Sequence, residues 1–109
     1  MGDRVSVQFV DKGENVSIAV FSHWGGMGFV EMAKRYVIEE LPKRAKDGYT
    51  PLGRRDSDTV VIDFISYISG GKPIESGYYL GATGKDGDNS DNGNWIIDTD
   101  TGDARREGE

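Results

Sequence analysis

Residues 5–41, VSVQFVDKGENVSIAVFSHWGGMGFVEMAKRYVIEEL, contain a change from strand-like to helix-like periodicity. Apolar and polar residues alternate over residues 5–9, which is typical of a half-buried β-strand. A polar turn over residues 11–14 and a second apolar run over residues 16–21 follow. This pattern predicts an antiparallel β-hairpin at the start of the chain.

A helix is predicted after the glycines at positions 25, 26 and 28, because the apolar residues that follow recur at spacings of three and four. These residues are Phe29, Met32, Ala33, Tyr36, Val37 and Leu41. Pro42 disfavours helical geometry at the residue before it, so the helix is expected to stop or kink there. Residues 43–56 are basic and turn-rich, which favours a loop.

Residues 59–69 are compatible with two structures. Their β-branched residues favour a strand. The polar residues 56–58 are candidate helix caps, and the paired glycines at 70–71 are typical of a helix end. Because apolar residues also recur at helical spacing, we predict a second helix.

Two further strands are predicted over residues 77–82 and 95–98, on either side of a loop rich in Gly, Asp and Asn. Tyr78 and Tyr79 are expected to point to opposite faces of the sheet. The resulting order β-β-α-α-β-β predicts an α+β fold, with an antiparallel sheet and both helices on one face. We expect one domain over residues 1–98 and a disordered acidic tail over residues 99–109.

Composition limits the classes of function. The chain of 109 residues has room for one domain, and it lacks cysteine, which excludes disulfides and thiolate metal sites. The formal net charge is −6, and the acidic excess lies after residue 74. An acidic surface repels phosphate backbones, so direct nucleic-acid binding is not expected. No apolar run approaches membrane-spanning length; no membrane partner and a cytoplasmic location are expected.

The first candidate site is the turn between the second predicted strand and the first helix. Its glycines let the backbone direct N–H groups outward, and the helix N-terminus adds a partial positive charge. These features favour an anion such as phosphate, with His23 as a donor or proton shuttle. The candidate ligand-binding residues are Ser22, His23, Trp24, Gly25 and Gly26. The alternative is a tight turn in which Trp24 packs on the core.

The second candidate site is the loop over residues 86–94. Hard cations bind several oxygen ligands, which alternate positions of such a loop can supply. The candidate ligands for Ca²⁺ or Mg²⁺ are Asp86, Asp88, Ser90 and Asn92. From Asp88 onward the loop matches the front half of an EF-hand, but its twelfth position is Thr99 instead of glutamate. The alternative is an exposed hairpin loop whose residue types suit turns.

Whether the two candidate sites form one site depends on the sheet. If the strands that precede them are antiparallel neighbours, His23 and Asp86 lie at opposite ends of the sheet. A parallel arrangement would bring them together. The sequence leaves both arrangements open.

Three motifs together resemble a family of small uncharacterised proteins encoded by prokaryotes, their viruses and other mobile elements. The motifs are Ser-His-Trp-Gly-Gly at 22–26, Tyr-Leu-Gly at 79–81 and Asp-Gly-Asp-Asn-Ser-Asp-Asn-Gly at 86–93. The resemblance covers residues 4–98. It implies an accessory role against or within a host pathway, and it carries no catalytic residue over to this chain.

Three functions follow from these observations. The leading hypothesis is a small non-enzymatic binding or accessory protein that engages a host protein partner. The alternative is a metal- or phosphate-dependent enzyme that uses His23 and the loop over residues 86–94. A third hypothesis is a structural protein that acts as an oligomer. One histidine and no cysteine leave few groups for catalysis, and Glu39, Glu40 and Asp63 are expected to face solvent.

Overall fold

A computed structural model describes residues 3–11, 15–46, 57–70, 77–87 and 89–107. In these ranges the protein is an α+β domain with six strands, which confirms the predicted class. The strands are β1 (Val5–Asp11), β2 (Asn15–Val16), β3 (Ala19–Ser22), β4 (Tyr78–Gly81), β5 (Asn94–Asp98) and β6 (Ala104–Arg106). The helical elements are α1 (Gly26–Arg35), a π-helical segment (Tyr36–Glu40), α2 (Leu41–Lys46) and α3 (Ser57–Ser69).

The sheet is mixed. Its strand order is β4-β3-β1-β5-β6, and β2 also pairs with β1. The predicted hairpin is confirmed, because β1 runs antiparallel to β2 and β3. The prediction of an all-antiparallel sheet is wrong, because β1 and β5 are parallel. The loop after β4 returns the chain to the end of the sheet where β1 begins, so β5 runs in the same direction as β1.

The core lies between the sheet and one layer of helices. Val5, Val7 and Phe9 of β1 are fully buried against residues of α1 and α3. Phe64 of α3 is at the centre, with its ring centroid 5.2 Å from that of Phe9 and 5.3 Å from that of Tyr36. Aromatic pairs in this edge-to-face geometry add to the stabilisation from burial. The second helix, predicted over residues 59–69, is therefore confirmed as α3, which covers β1 together with α1.

The first helix does not end at Pro42. The π-helical segment leads into α2, and the N–H of Leu41 donates to the carbonyl of Tyr36, five residues earlier. A proline in a regular α-helix clashes with the carbonyl four residues before it. Here the π-turn comes before Pro42, so the proline lies in the first turn of α2, where its missing N–H is tolerated. The loop predicted from residue 43 is wrong over 43–46, and its remainder lies outside the described residues.

The predicted disordered tail is wrong over residues 99–107. The N–H of Thr99 donates to the carbonyl of Val10 over 3.0 Å, and Thr99 is buried. The carboxylate of Asp98 then accepts the N–H groups of Asp100 and Thr101, which turns the chain back. Strand β6 follows and pairs antiparallel with β5. The ordered domain therefore extends past residue 98.

Candidate binding surface

Two backbone N–H groups of the turn between β3 and α1 form hydrogen bonds within the protein. The N–H of Gly25 donates to the Ser22 hydroxyl over 2.9 Å, and the N–H of Gly26 donates to the Asp3 carbonyl over 2.8 Å. Gly26 has a φ of 55°, and a Cβ there would overlap the carboxylate of Asp3. A carboxylate at this position repels anions. The geometry therefore disfavours phosphate at the predicted pocket.

Two side chains of this turn lie near or at the surface. Trp24 is 62% exposed and lies against Gly77, where a Cβ would be 2.9 Å from the indole Cδ1. His23 is half-buried, and its ring contacts that of Trp24 edge to face at 4.3 Å. Trp24 is therefore not packed on the core. Ligand binding by residues 22–26 stays a prediction, and Trp24 offers the largest exposed surface for it.

Residues of the predicted metal-binding loop form hydrogen bonds within the protein. The carboxylate of Asp86 accepts the N–H of Thr83 over 2.7 Å, and the amide of Asn92 donates to the Asp3 carboxylate over 2.7 Å. Asp88 lies outside the described residues. Within those residues, no group of three or more His, Cys, Asp or Glu side chains is placed to hold a metal ion. Binding of Ca²⁺ or Mg²⁺ by Asp86, Asp88, Ser90 and Asn92 stays a prediction.

Asp3 connects the two predicted segments. Because β3 and β4 are antiparallel neighbours, Asp86 lies at the opposite end of β4 from His23. The loop then crosses the sheet, and Asn92 reaches Asp3, whose N–H donates to the His23 carbonyl over 2.9 Å. The second half of the loop thus lies at the end of the sheet where His23 lies, whereas Asp86 does not.

A chain of hydrogen bonds, which the sequence analysis missed, holds this loop against the sheet. Ser6 donates to the Asn94 Oδ1 over 2.6 Å, and the Asn94 Nδ2 donates to the Gln8 Oε1 over 2.7 Å. The Asn89 Nδ2 donates to the Ser6 hydroxyl and to the carbonyl of Gly84, each over 2.8 Å. Both faces of β1 are therefore buried, although the alternation predicts one. The signal in the sequence is that Ser6 and Gln8 are polar but uncharged.

Asp63 does not face solvent as predicted. Its side chain is buried, and the Tyr36 hydroxyl donates to its Oδ2 over 2.6 Å. Packing of α3 against the π-helical segment turns this side chain inward. Glu39 is exposed as expected, whereas Glu40 is half-buried. We assign Asp63 a structural role, because its partner is a core tyrosine.

The two edges of the sheet, as the described residues define them, differ in chemistry. Strand β6 has the sequence Ala-Arg-Arg, and both arginines are exposed. Strand β4 has the sequence Tyr-Tyr-Leu-Gly, without charge or proline, and Tyr79 and Leu80 are 40% and 53% exposed. Natural edge strands commonly carry charges or proline that prevent pairing with another chain. β6 has this protection and β4 does not.

An apolar groove lies beside β4 on the helical side of the sheet. It has a volume of about 170 Å³ and is lined by Val20, Ile65, Ile68, Tyr78, Tyr79 and Leu80. Tyr78 packs on Phe29 of α1, whereas the Tyr79 ring stacks on Phe21 at 4.9 Å. The two tyrosines thus lie on opposite faces, as predicted. We use the name β4 surface for Trp24, Ile65, Ile68, Tyr79 and Leu80.

Comparisons of the chain with family models, with curated proteins and with solved structures found no match. The resemblance to proteins of prokaryotes, their viruses and mobile elements thus stays a prediction from three motifs. No helix in the described part of the chain is long and apolar enough to cross a membrane. In the described residues, the protein is a small α+β domain whose sheet edge at β4 is apolar and uncharged.

Proposed function

We propose that the protein is a small non-enzymatic binding module that docks a segment of a protein partner along β4. The observation that carries this proposal is the difference between the two sheet edges. β6 presents two exposed arginines, whereas β4 presents exposed Tyr79 and Leu80 beside an apolar groove. Exposed apolar surface at a sheet edge is a recurring mode of peptide recognition.

The placement of the polar groups also supports binding over catalysis. Asp63 bonds to Tyr36 in the core, and Asp86 bonds to Thr83 within its own loop. Catalysis requires preorganised polar groups that converge on one reacting atom. His23 lies beside Trp24, at the other end of β4 from Asp86. The alternative of an enzyme that uses His23 and the loop over residues 86–94 therefore has less geometric support, because only the second half of that loop lies at the His23 end of the sheet.

A protein partner suits this surface better than a nucleic acid. The net charge of −6 repels phosphates, and the groove offers apolar contacts in place of a basic path. The predicted resemblance to proteins of prokaryotes, their viruses and mobile elements favours a host protein as the partner. We place this activity in the cytoplasm, of the host if the protein is virus-encoded, because the chain lacks cysteine.

Selection from a library of random twelve-residue peptides displayed on phage tests the proposal. We expect the wild-type protein to enrich peptides that no longer bind the Leu80→Lys variant, because a lysine there places a charge on the β4 surface. Ile62→Lys is the matched control, since Ile62 is 69% exposed on α3 and does not line the groove. Peptides that bind wild type and Leu80→Lys equally, or no enrichment at all, would show that β4 is not the docking site.

A further inference from the structure

We infer that the docked segment is extended, places an apolar side chain in the groove between α3 and β4, and carries basic residues on both sides of its apolar stretch. This inference rests on the proposed function and adds the chemistry of the partner. Three features support it: the direction of the Leu80 backbone, the two-sided apolar surface of β4 and the net negative charge of the molecule.

The backbone of Leu80 favours an extended partner. The N–H of His23 donates to the Gly77 carbonyl, so Gly77, Tyr79 and Gly81 occupy the hydrogen-bonded positions of the antiparallel β3–β4 pair. Leu80 lies between two of these positions, and its N–H and C=O therefore point away from β3. A segment in extended conformation can bond to those two groups and continue the sheet.

The side chains around β4 favour apolar residues on both faces of an added strand. Successive residues of an added strand point to opposite faces of the sheet. On the helical face they meet the groove, whose volume of about 170 Å³ suits a compact side chain such as valine or leucine. On the other face they meet Tyr79 and the neighbouring Trp24. Both faces favour apolar contacts, and β4 itself contains no charged residue.

The acidic charge of the molecule favours basic flanks. The exposed Asp86 lies five residues after the end of β4. The chain as a whole carries 19 acidic residues against 13 basic ones. A second copy of this chain would bring another charge of −6 to the same place, which opposes self-association. Complementary charge therefore favours a basic segment over a second copy.

Two synthetic peptides test the inference directly. Both have the same core of alternating valine and leucine, and the flanks are lysine pairs in one and glutamate pairs in the other. We expect the lysine peptide to bind about tenfold more tightly in low salt, and this advantage to shrink in high salt. Fluorescence anisotropy measures the affinities, and amide chemical shifts locate the contact. Replacing a groove-facing valine of the peptide by aspartate is expected to abolish binding.

The outcomes separate this inference from the proposed function. If both peptides bind equally and shift the amides of Tyr79 and Leu80, the preference for basic flanks is wrong and docking at β4 stands. If neither peptide binds but the phage selection succeeds at β4, the inferred partner chemistry is wrong. If the selection also fails, the proposed function is wrong. A concentration-dependent dimer in sedimentation that Leu80→Lys dissociates would identify a second copy as the occupant and overturn the inference.

Discussion

A chain of hydrogen bonds connects the buried side chains of Ser6, Gln8 and Asn94 to the half-buried side chain of Asn89. A buried bond of this kind adds little net stability, but loss of one partner leaves the other without compensation for its desolvation. These hydrogen bonds therefore determine the path of the loop more than they add to the free energy of folding. This arrangement also requires glycine at position 84, because a Cβ there would overlap the Asn94 side chain.

Ser6→Ala tests how much these hydrogen bonds contribute to stability. We expect the free energy of unfolding to fall by about 1–3 kcal/mol, because Asn94 and Asn89 each lose a buried partner. Urea denaturation followed by tryptophan fluorescence measures this change. Ser66→Ala is the matched control, since Ser66 is exposed on α3 and is expected to change stability by less than about 0.5 kcal/mol. Equal effects of the two substitutions would contradict the role assigned to Ser6.

At the scale of elements, α3 depends on a residue from another strand. The N–H of Ser57, its first residue, donates to the carboxylate of Asp11 in β1 over 2.7 Å. The side chain of Asn15 donates to the other carboxylate oxygen over 2.9 Å. An acceptor at this position satisfies one of the N–H groups that a helix start leaves without an intrahelical partner. Asp11 thus links the hairpin to the helix that covers it.

Asp11→Ala is expected to destabilise the protein by about 1 kcal/mol, because α3 loses its cap. The change is measured as a shift in the urea midpoint. The matched control combines Asp11→Asn with Asn15→Asp, so that position 11 retains an oxygen for Ser57 and its amide can donate to the new carboxylate at position 15. If this double variant were as damaging as Asp11→Ala, the negative charge at position 11, and not the cap, would account for the loss.

The elements also show how far local sequence determines this fold. The helix over residues 59–69 was predictable because capping residues and paired glycines bracket it. The parallel pairing of β1 with β5 was not, because it depends on long-range bonds such as that from Asn89 to Ser6. Continuation of the helix through Pro42 depends on a π-turn that local propensity does not indicate. β6 was missed because its arginines suggest disorder, although an exposed edge strand needs few apolar residues.

The candidate site was predictable to a similar extent. Alternation along β4 predicted that one tyrosine meets the surface, and Tyr79 does. The position of Trp24 at the surface was not evident, because the indole lies against Gly77, which is distant in sequence. The groove itself forms between α3 and β4, and a single sequence does not report how closely two such elements pack. Sequence therefore located residues of the surface but not their juxtaposition.

At the scale of the whole molecule, each face of the sheet has its own cover. Helices α1 and α3 pack on one face, and the loop between β4 and β5 crosses the other. Strand β6 shields β5 at one edge and presents charge outward. In the described part of the chain, this arrangement leaves β4 as the edge with uncharged apolar residues at the surface. The acidic excess of the molecule then determines which partners approach that edge.

The role of β6 in this arrangement can be tested by truncation. A chain that ends at Asp103 lacks β6 and exposes the edge of β5, which contains Trp95, Ile96 and Ile97. We expect the free energy of unfolding to fall by more than about 1 kcal/mol, and the protein to associate as its concentration rises. Urea denaturation and sedimentation at two concentrations measure these effects.

The control for that truncation is a chain that ends at Glu107, which retains β6 and its arginines. This chain is expected to match the full-length protein in both measurements, because the paired residues of β5 and β6 are all present. An unchanged urea midpoint for the chain that ends at Asp103 would mean that residues 104–107 contribute nothing to folding. They would then behave as the solvated tail that their charge suggests, and the protection of β5 would have to come from its own side chains.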